Sequence, residues 1–385
     1  MKTDRIALSI AAVAILIIAI GSCNKPELPD DNKPGQEQVD PGTDPGTDPG
    51  TDPGTDPGTD PGTDPGTDPG TDPGTDPGTD PGTDPGTDPE PRVISIPKPV
   101  TASDGNTLRI LAIGNSFSQD AVEQYLYELF KAFGQETVIG NMYIGGCTID
   151  THLGKANNGA KDYEYRKVVN GTKTNSVGKG LLDGIRDENW DVITVQQASG
   201  SSGIYSTYSN LNALIDYVKA NATNTDVVIA FHQTWAYSAN STHAEFPKYN
   251  SNQMTMYNMI CDAATRMFQD CESVAGIIPP GTAIQNGRTS YLGDSFNRDG
   301  YHLEINYGRF TAACTWVEAL TGKDVTTNTY KPGTVSNSQA MVAKAAAHAA
   351  CQKVVEVTDL VDFKTPPTSD SLSLPSVEEE NLGSR

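Results

Sequence analysis

The sequence predicts an α/β fold for residues 93–357, a three-layer α/β/α sandwich built on a parallel sheet. Two observations lead to this class. Continuous apolar segments of strand length alternate with longer segments whose apolar residues recur at helical spacing, which is the pattern of a parallel sheet covered by helices on both faces. The length of about 265 residues suits one domain of this kind better than two.

Strands and helices are predicted in alternation along this region. The strands are expected at 108–113, 137–143, 190–195, 227–231 and 274–278. The helices are expected at 121–133, 181–185, 211–218, 254–268, 310–320 and 341–355. Sheets of this class bind ligands outside the carboxyl ends of their strands, so the loops that follow the strands should hold the functional residues.

The N-terminal 22 residues have the pattern of a signal peptide. Lys2 and Arg5 precede an uncharged apolar segment, 6–20, which is short for a membrane-spanning helix of about 20 residues. The segment ends in Gly-Ser-Cys23, which resembles the lipobox of bacterial lipoproteins. The resemblance implies cleavage before Cys23 and a lipid on its thiol. It also implies a location in the cell envelope of a Gram-negative bacterium, on the inner or the surface-exposed face of the outer membrane. An uncleaved signal anchor is the alternative.

Residues 23–92 are predicted to form a disordered acidic tether. From Asp40 to Asp88 the chain repeats Asp-Pro-Gly-Thr, which offers no apolar side chain to bury and cannot offset its ordering entropy. Fourteen acidic and no basic residues lie between Asp40 and Glu90, and subtracting them from the formal net charge of −22 leaves −8 for the rest of the chain. This ordinary acidic surface argues against a nucleic-acid partner, which would need a basic face.

The C-terminal residues 358–385 are predicted to be a disordered tail, because they are rich in Pro, Ser and Glu. Besides Cys23 the chain has five cysteines, an odd number that leaves at least one free thiol in an exported protein. Cys261 and Cys271 are spaced to pair across a helix end. The sequence has only five histidines and no Cys-x-x-Cys motif, so it predicts no zinc site. Neither a metal nor an organic cofactor is expected.

The turns after the first three strands carry residues suited to acyl-transfer chemistry. Ser116 follows the first strand and has a hydroxyl at the rim of the sheet. Gly146, or alternatively Gly145, follows the second strand, where a backbone N–H could stabilise an oxyanion. Gln197, or alternatively Gln196, follows the third strand and could donate from its side-chain amide to the same oxyanion.

Asp299 and His302 lie three residues apart near the end of the domain, so both side chains can face one site from a single turn. A histidine in such a place can take a proton from a serine hydroxyl, and an aspartate can fix its tautomer and support its positive charge. The pair is therefore a candidate for the general base and its orienting carboxylate.

Taken in this order, the four motifs resemble the sequence blocks of the SGNH, or GDSL, serine hydrolases, over roughly residues 108–320. The resemblance implies a flavodoxin-like sheet of the SGNH type, with Ser116 as nucleophile, His302 as general base and Asp299 as the carboxylate that orients His302. It also implies an oxyanion hole made by Ser116 N–H, Gly146 and Gln197. Two residues depart from the pattern, since Asn115 stands where the family has Asp, and the glutamines stand where it has Gly-x-Asn-Asp.

The resemblance and the N-terminal pattern together predict an exported, lipid-anchored serine esterase. The expected reaction is hydrolysis of a carboxylic ester through an acyl-enzyme, with deacetylation of a polysaccharide as the simplest case. The expected partner is an acylated carbohydrate or another small ester. The alternative is a non-catalytic surface glycan-binding protein on the same fold. Trp235 and Tyr237, after the fourth strand, could either stack on a sugar or cap the core.

Overall fold

The structure, a computed structural model, describes residues 91–366. The predicted signal peptide, the lipidation site at Cys23, nearly all of the tether and residues 367–385 of the predicted tail lie outside these residues. A seven-stranded sheet runs through the middle of the described region in the order β4-β3-β2-β1-β5-β6-β7. Its strands are β1 (Thr107–Gly114), β2 (Glu136–Tyr143), β3 (Tyr163–Val169), β4 (Thr172–Lys179), β5 (Val192–Val195), β6 (Val228–His232) and β7 (Gly276–Ile278).

All five predicted strands are present and pair in parallel, as β1, β2, β5, β6 and β7. The hairpin of β3 and β4 was not predicted, and it pairs antiparallel against the β2 edge. Every residue of β4 before Lys179 is exposed, and in β3 the buried Tyr163, Tyr165 and Val168 are separated by polar residues. The hairpin therefore lacks the continuous apolar segment by which the other strands can be recognised.

Helices cover both faces of the sheet, which confirms the predicted α/β/α class. They are α1 (Ser116–Val122), α2 (Leu126–Ala132), α3 (Ile149–Asn158), α4 (Leu181–Ile185), α5 (Leu211–Asn221), α6 (Gln253–Asp270), α7 (Pro280–Arg288), α8 (Tyr307–Thr321) and α9 (Asn337–Gln352). Successive residues of β1 enter opposite cores, because side chains alternate along a strand. Ile110 and Ala112 pack with α1, α2, α8 and α9, whereas Leu111 and Ile113 pack with α3, α4, α5 and α6.

The helices differ from the prediction in three places. The expected helix at 121–133 is two helices, α1 and α2, of which α1 begins at Ser116 and so contains the predicted nucleophile. The helices α3 and α7 were not predicted. The apolar stripe of α3 is short, because only three of its ten residues are buried and one of them is His152. The helix α7 is buried throughout although most of its residues are glycine or polar, so it shows no apolar stripe at helical spacing.

The packed chain continues past the predicted domain end at 357. The Thr358 N–H donates to Asn286 Oδ1 at 2.7 Å, and Leu360 is buried against the core. The Tyr291 N–H donates to the Phe363 carbonyl at 2.8 Å. Of the predicted disordered tail, residues 358–363 therefore belong to the folded domain, and the residues after 366 lie outside the described part of the chain.

Within residues 91–366 all five cysteines are buried and free, so the possible pairing of Cys261 with Cys271 is not present. Burial raises the pKa of the Cys261 thiol to about 11, which keeps it protonated and unreactive. No helix in this part of the chain combines the length and apolar character that a membrane-spanning helix needs.

Gly140 of β2 offers a test of how tightly the sheet packs. A Cβ added there would lie 2.8 Å from Leu111 Cδ1 and 2.8 Å from Trp190 Cη2, closer than carbon atoms pack. We expect Gly140→Ala to lower the free energy of unfolding by about 1–3 kcal/mol, measured by urea denaturation followed through tryptophan fluorescence. Gly154→Ala is the control, because that exposed glycine of α3 has nothing within 4 Å of the added methyl. Equal losses in the two variants would contradict the packing argument.

Candidate active site

Asp299 and His302 form a bonded pair in a tight turn. His302 Nδ1 donates to Asp299 Oδ2 at 2.7 Å. The other carboxylate oxygen, Oδ1, accepts from the N–H of His302 at 2.7 Å and from the N–H of Tyr301 at 3.2 Å. Gly300 has φ +90°, and a Cβ there would approach Ser241 to 3.0–3.3 Å, so the turn requires glycine.

These contacts determine the charge state of the pair. Partial burial acts to raise the pKa of Asp299, but hydrogen bonds from the His302 ring and from the backbone N–H groups of His302 and Tyr301 hold that pKa below its ordinary value. Asp299 is therefore ionised at neutral pH. Because its carboxylate accepts from Nδ1, the neutral His302 ring has an unprotonated Nε2 that can accept a proton.

Ser116 is the first residue of α1 and directly follows β1 through Asn115. The Asn115 side chain fixes this turn from three sides. Its Oδ1 accepts from the Phe117 N–H at 3.0 Å and from Gln196 Nε2 at 2.8 Å, and its Nδ2 donates to the Cys147 carbonyl at 3.1 Å. A carboxylate could not make the last bond, because it has no proton to donate. The asparagine is therefore suited to this turn, although the SGNH pattern has aspartate here.

Ser116 and His302 border the same cleft, which has a volume of about 570 Å³ and lies beyond the carboxyl ends of β1, β2 and β5. This is the sheet edge at which the sequence predicts a site. The cleft is lined by Asn115, Ser116, Phe117, Gln119, Tyr143, Gly145, Gly146, Thr148, Ala198, Ser199, Gly200, Ser201, His243, Glu245, Arg298, Tyr301 and His302.

Three backbone N–H groups of residues that line this cleft could serve an oxyanion. Those of Ser116, Gly145 and Gly146 donate to no backbone carbonyl among residues 91–366. Gly146 has φ +64°, a backbone conformation that glycine adopts readily. Gly145, the alternative second-block residue, borders the cleft as well.

Gln197 does not take the position predicted for it. Its Nε2 donates to the Thr207 carbonyl at 2.8 Å and to Thr207 Oγ1 at 3.1 Å, and its Oε1 accepts from the N–H groups of Ile149 and Ala198. Gln196 is also engaged, between Asn115 and His232. Both glutamines are buried and neither borders the cleft. Their amides hold the loops together, so the structure does not support Gln197 as an oxyanion donor.

Asp120 and its arginine partners are the main feature that the sequence analysis missed. The Asp120 side chain is fully buried and accepts from Arg309 Nη2 at 2.6 Å and from Arg298 Nη1 at 3.1 Å. It also accepts from the Leu303 N–H at 2.8 Å. Asp120 lies four residues after Ser116, one helical turn along, and Leu303 directly follows His302. The available signal was a charged residue on the buried side of an amphipathic helix.

The aromatic residues after β6 are structural. Trp235 and Tyr237 are fully buried, so neither is exposed for stacking on a sugar. Trp235 stacks on Phe117 with ring centroids 4.2 Å apart, and its Nε1 donates to the Tyr301 carbonyl at 2.7 Å. The indole thus supports the turn of His302 from below the cleft.

Among the described residues one group, Glu318, Asp324 and His348, has the donor atoms and proximity to hold a metal ion. His348 Nδ1 lies 2.8 Å from Glu318 Oε1 and 3.3 Å from Asp324 Oδ1. The hydrogen bond between His348 Nδ1 and Glu318 already accounts for this arrangement, and none of the three residues borders the cleft.

The fold and the cleft together define an α/β protein with a serine and an aspartate-bonded histidine at the carboxyl edge of its sheet. The profile of the family described as "Domain of unknown function (DUF4886)" matches residues 109–350, and the chain belongs to this family. A crystal structure of a DUF4886 family protein from Bacteroides uniformis is 48% identical, with a TM-score of 0.66, and covers 67% of this chain and 100% of its own.

Other solved structures are less similar. An acetylxylan esterase from Geobacillus stearothermophilus is 10% identical, with a TM-score of 0.38, and the match covers 58% of this chain and 96% of that chain. A candidate SGNH hydrolase from Slackia heliotrinireducens is 17% identical, with a TM-score of 0.37, and the match covers 57% of this chain and 100% of that chain. The comparison with curated proteins gave no match.

The buried carboxylate of Asp120 can be tested by an isosteric change. Asp120→Asn leaves two arginines around a neutral amide, and we expect the free energy of unfolding to fall by on the order of 3 kcal/mol, measured by urea denaturation. Asp162→Asn is the matched control, since Asp162 is 56% exposed in its ion pair with Lys155 and should change stability by less than about 1 kcal/mol. A loss no larger than that of the control would show that the Asp120 contacts contribute little.

Proposed function

We propose that this protein is a serine esterase that hydrolyses carboxylic esters through an acyl-enzyme on Ser116. The observation that carries the proposal is the Asp299-bonded ring of His302, which borders the same cleft as the Ser116 hydroxyl. Since Nδ1 of His302 is committed to the carboxylate, Nε2 is the nitrogen left to exchange a proton with the serine.

Each group then has a defined task. Ser116 Oγ attacks the ester carbonyl while His302 Nε2 takes the hydroxyl proton, and Asp299 supports the imidazolium that results. The N–H groups of Ser116 and Gly146 stabilise the oxyanion. The C–O bond to the alcohol breaks as His302 returns its proton to the leaving oxygen. A water molecule, activated by His302, then hydrolyses the acyl-serine and releases the acid.

The proposed substrate is an acylated carbohydrate, with acetyl as the simplest acyl group. The cleft supports this class, because its walls combine the aromatic rings of Tyr143 and Tyr301 with hydrogen-bonding side chains such as Gln119 and Thr148. A long acyl chain would instead need a mainly apolar channel.

The nucleophile can be tested with the chain from residue 24 onward. We expect this protein to release p-nitrophenol from p-nitrophenyl acetate and to react with a fluorophosphonate probe. Ser116→Ala should abolish labelling and lower turnover by a factor of at least about 10³. Ser199→Ala removes another hydroxyl at the cleft and should still be labelled. A folded wild-type protein that shows neither labelling nor turnover would refute the esterase and favour the non-catalytic glycan-binding alternative.

We also propose that the protein is exported and anchored to the outer membrane by a lipid on Cys23, with residues 23–92 as the tether. The proposal rests on the charged start, the apolar segment and the Gly-Ser-Cys sequence at the N-terminus. The acidic repeat would hold the esterase away from the membrane and close to polymeric substrates.

Lipidation can be tested by metabolic labelling of the full chain with palmitate in a Gram-negative host. We expect the wild-type protein to incorporate the label and Cys23→Ser to lose it and to migrate as a longer precursor. Cys147→Ser, which removes a buried thiol of the folded domain, is the control and should be labelled normally. Labelling of Cys23→Ser at the wild-type level would rule out Cys23 as the acceptor.

A further inference from the structure

A second histidine of the cleft has a defined tautomer and an unused donor. His243 lies in the segment after β6 and borders the cleft together with Ser116 and His302. Its Nδ1 accepts a hydrogen bond from the Glu245 N–H at 3.1 Å. A ring nitrogen that accepts carries no proton, so the neutral His243 ring carries its proton on Nε2. Among residues 91–366, no acceptor lies within hydrogen-bond distance of that nitrogen.

The ring of His243 is also held in place. It packs against Tyr301 with ring centroids 4.6 Å apart and against Tyr237 at 4.7 Å. Desolvation lowers the pKa of His243 below its ordinary value, although the neighbouring Glu245 acts to raise it. At neutral pH His243 is therefore a neutral, oriented hydrogen-bond donor that the described protein does not use.

Glu245 supplies an acceptor beside this donor. Its side chain borders the same cleft and forms an ion pair with Lys248 at the protein surface. The Glu245 side chain packs closely against Gly200, where any other residue would place its Cβ only 2.6 Å from Glu245 Cγ. An N–H donor on His243 and a carboxylate acceptor on Glu245 are thus both provided by residues that line the cleft of the candidate nucleophile.

We propose that His243 and Glu245 form a subsite for the ring hydroxyls of the sugar that carries the ester. A sugar hydroxyl both donates and accepts, so neighbouring hydroxyls satisfy the imidazole Nε2–H and the carboxylate together. This subsite binds the alcohol portion of the substrate, whereas the acyl group lies at Ser116. The inference rests on the proposed esterase function and specifies which half of the substrate is recognised.

The test compares two kinds of acetate ester in the same variants. One is p-nitrophenyl acetate, which has no hydroxyl, and the other is the best substrate among mono-O-acetylated methyl glucoside, galactoside and xyloside. His243→Phe keeps an aromatic ring against Tyr301 but removes the donor. We expect it to lower the ratio of kcat/KM for the sugar ester to kcat/KM for p-nitrophenyl acetate by about tenfold, mainly through KM.

His243→Gln is the matched control, because its amide can place an N–H near the position of Nε2, and it should recover most of the lost ratio. Fluorophosphonate labelling of Ser116 in each variant reports whether the cleft is intact. A ratio unchanged in a labelled His243→Phe variant would overturn the subsite and leave the esterase standing. Absence of labelling and of turnover in the wild-type protein would overturn the esterase itself.

Discussion

The arrangement of the candidate site depends on one buried negative charge. Asp120 is on the helix that begins with Ser116, and it accepts from the backbone next to His302 and from Arg298 and Arg309. A buried carboxylate is tolerated only where such partners compensate for its lost hydration. The charge therefore ties two chain segments some 180 residues apart into one unit, so the serine helix and the histidine turn cannot shift independently.

A second buried network sets the serine turn itself. Because Gln196 Nε2 donates to Asn115, its Oε1 faces His232 and must accept from the Nδ1–H of that ring. Desolvation lowers the pKa of His232 to about 3, so the ring stays neutral and keeps this donor role. The residues that depart from the SGNH pattern, Asn115, Gln196 and Gln197, thus all carry side-chain amides that hydrogen-bond to neighbouring loops and hold them together.

The sequence was sufficient for the parallel sheet and for the loops that hold the cleft, because buried strands are apolar and their carboxyl ends meet at one edge. The β3–β4 hairpin was missed because β4 is exposed and the buried residues of β3 are separated by polar ones, so neither strand has a continuous apolar segment. The predicted orientation of the Gln197 side chain was wrong, because adjacent side chains of a loop can point either to the cleft or into the protein. Only tertiary contacts determine which of the two directions each side chain takes. Asp120 was missed because its arginine partners are distant in the chain, and its place among the buried residues of α1 was the one local signal.

The five buried thiols have a consequence for how the domain matures. With Cys147, Cys261, Cys271, Cys314 and Cys351 all free and shielded, the described domain gains no stability from cross-links and needs no oxidant or disulfide isomerase to reach its native state. Thiol exchange requires an accessible thiolate, which burial denies to mismatched partners. Once folded, the described domain is therefore protected from thiol exchange under both oxidising and reducing conditions.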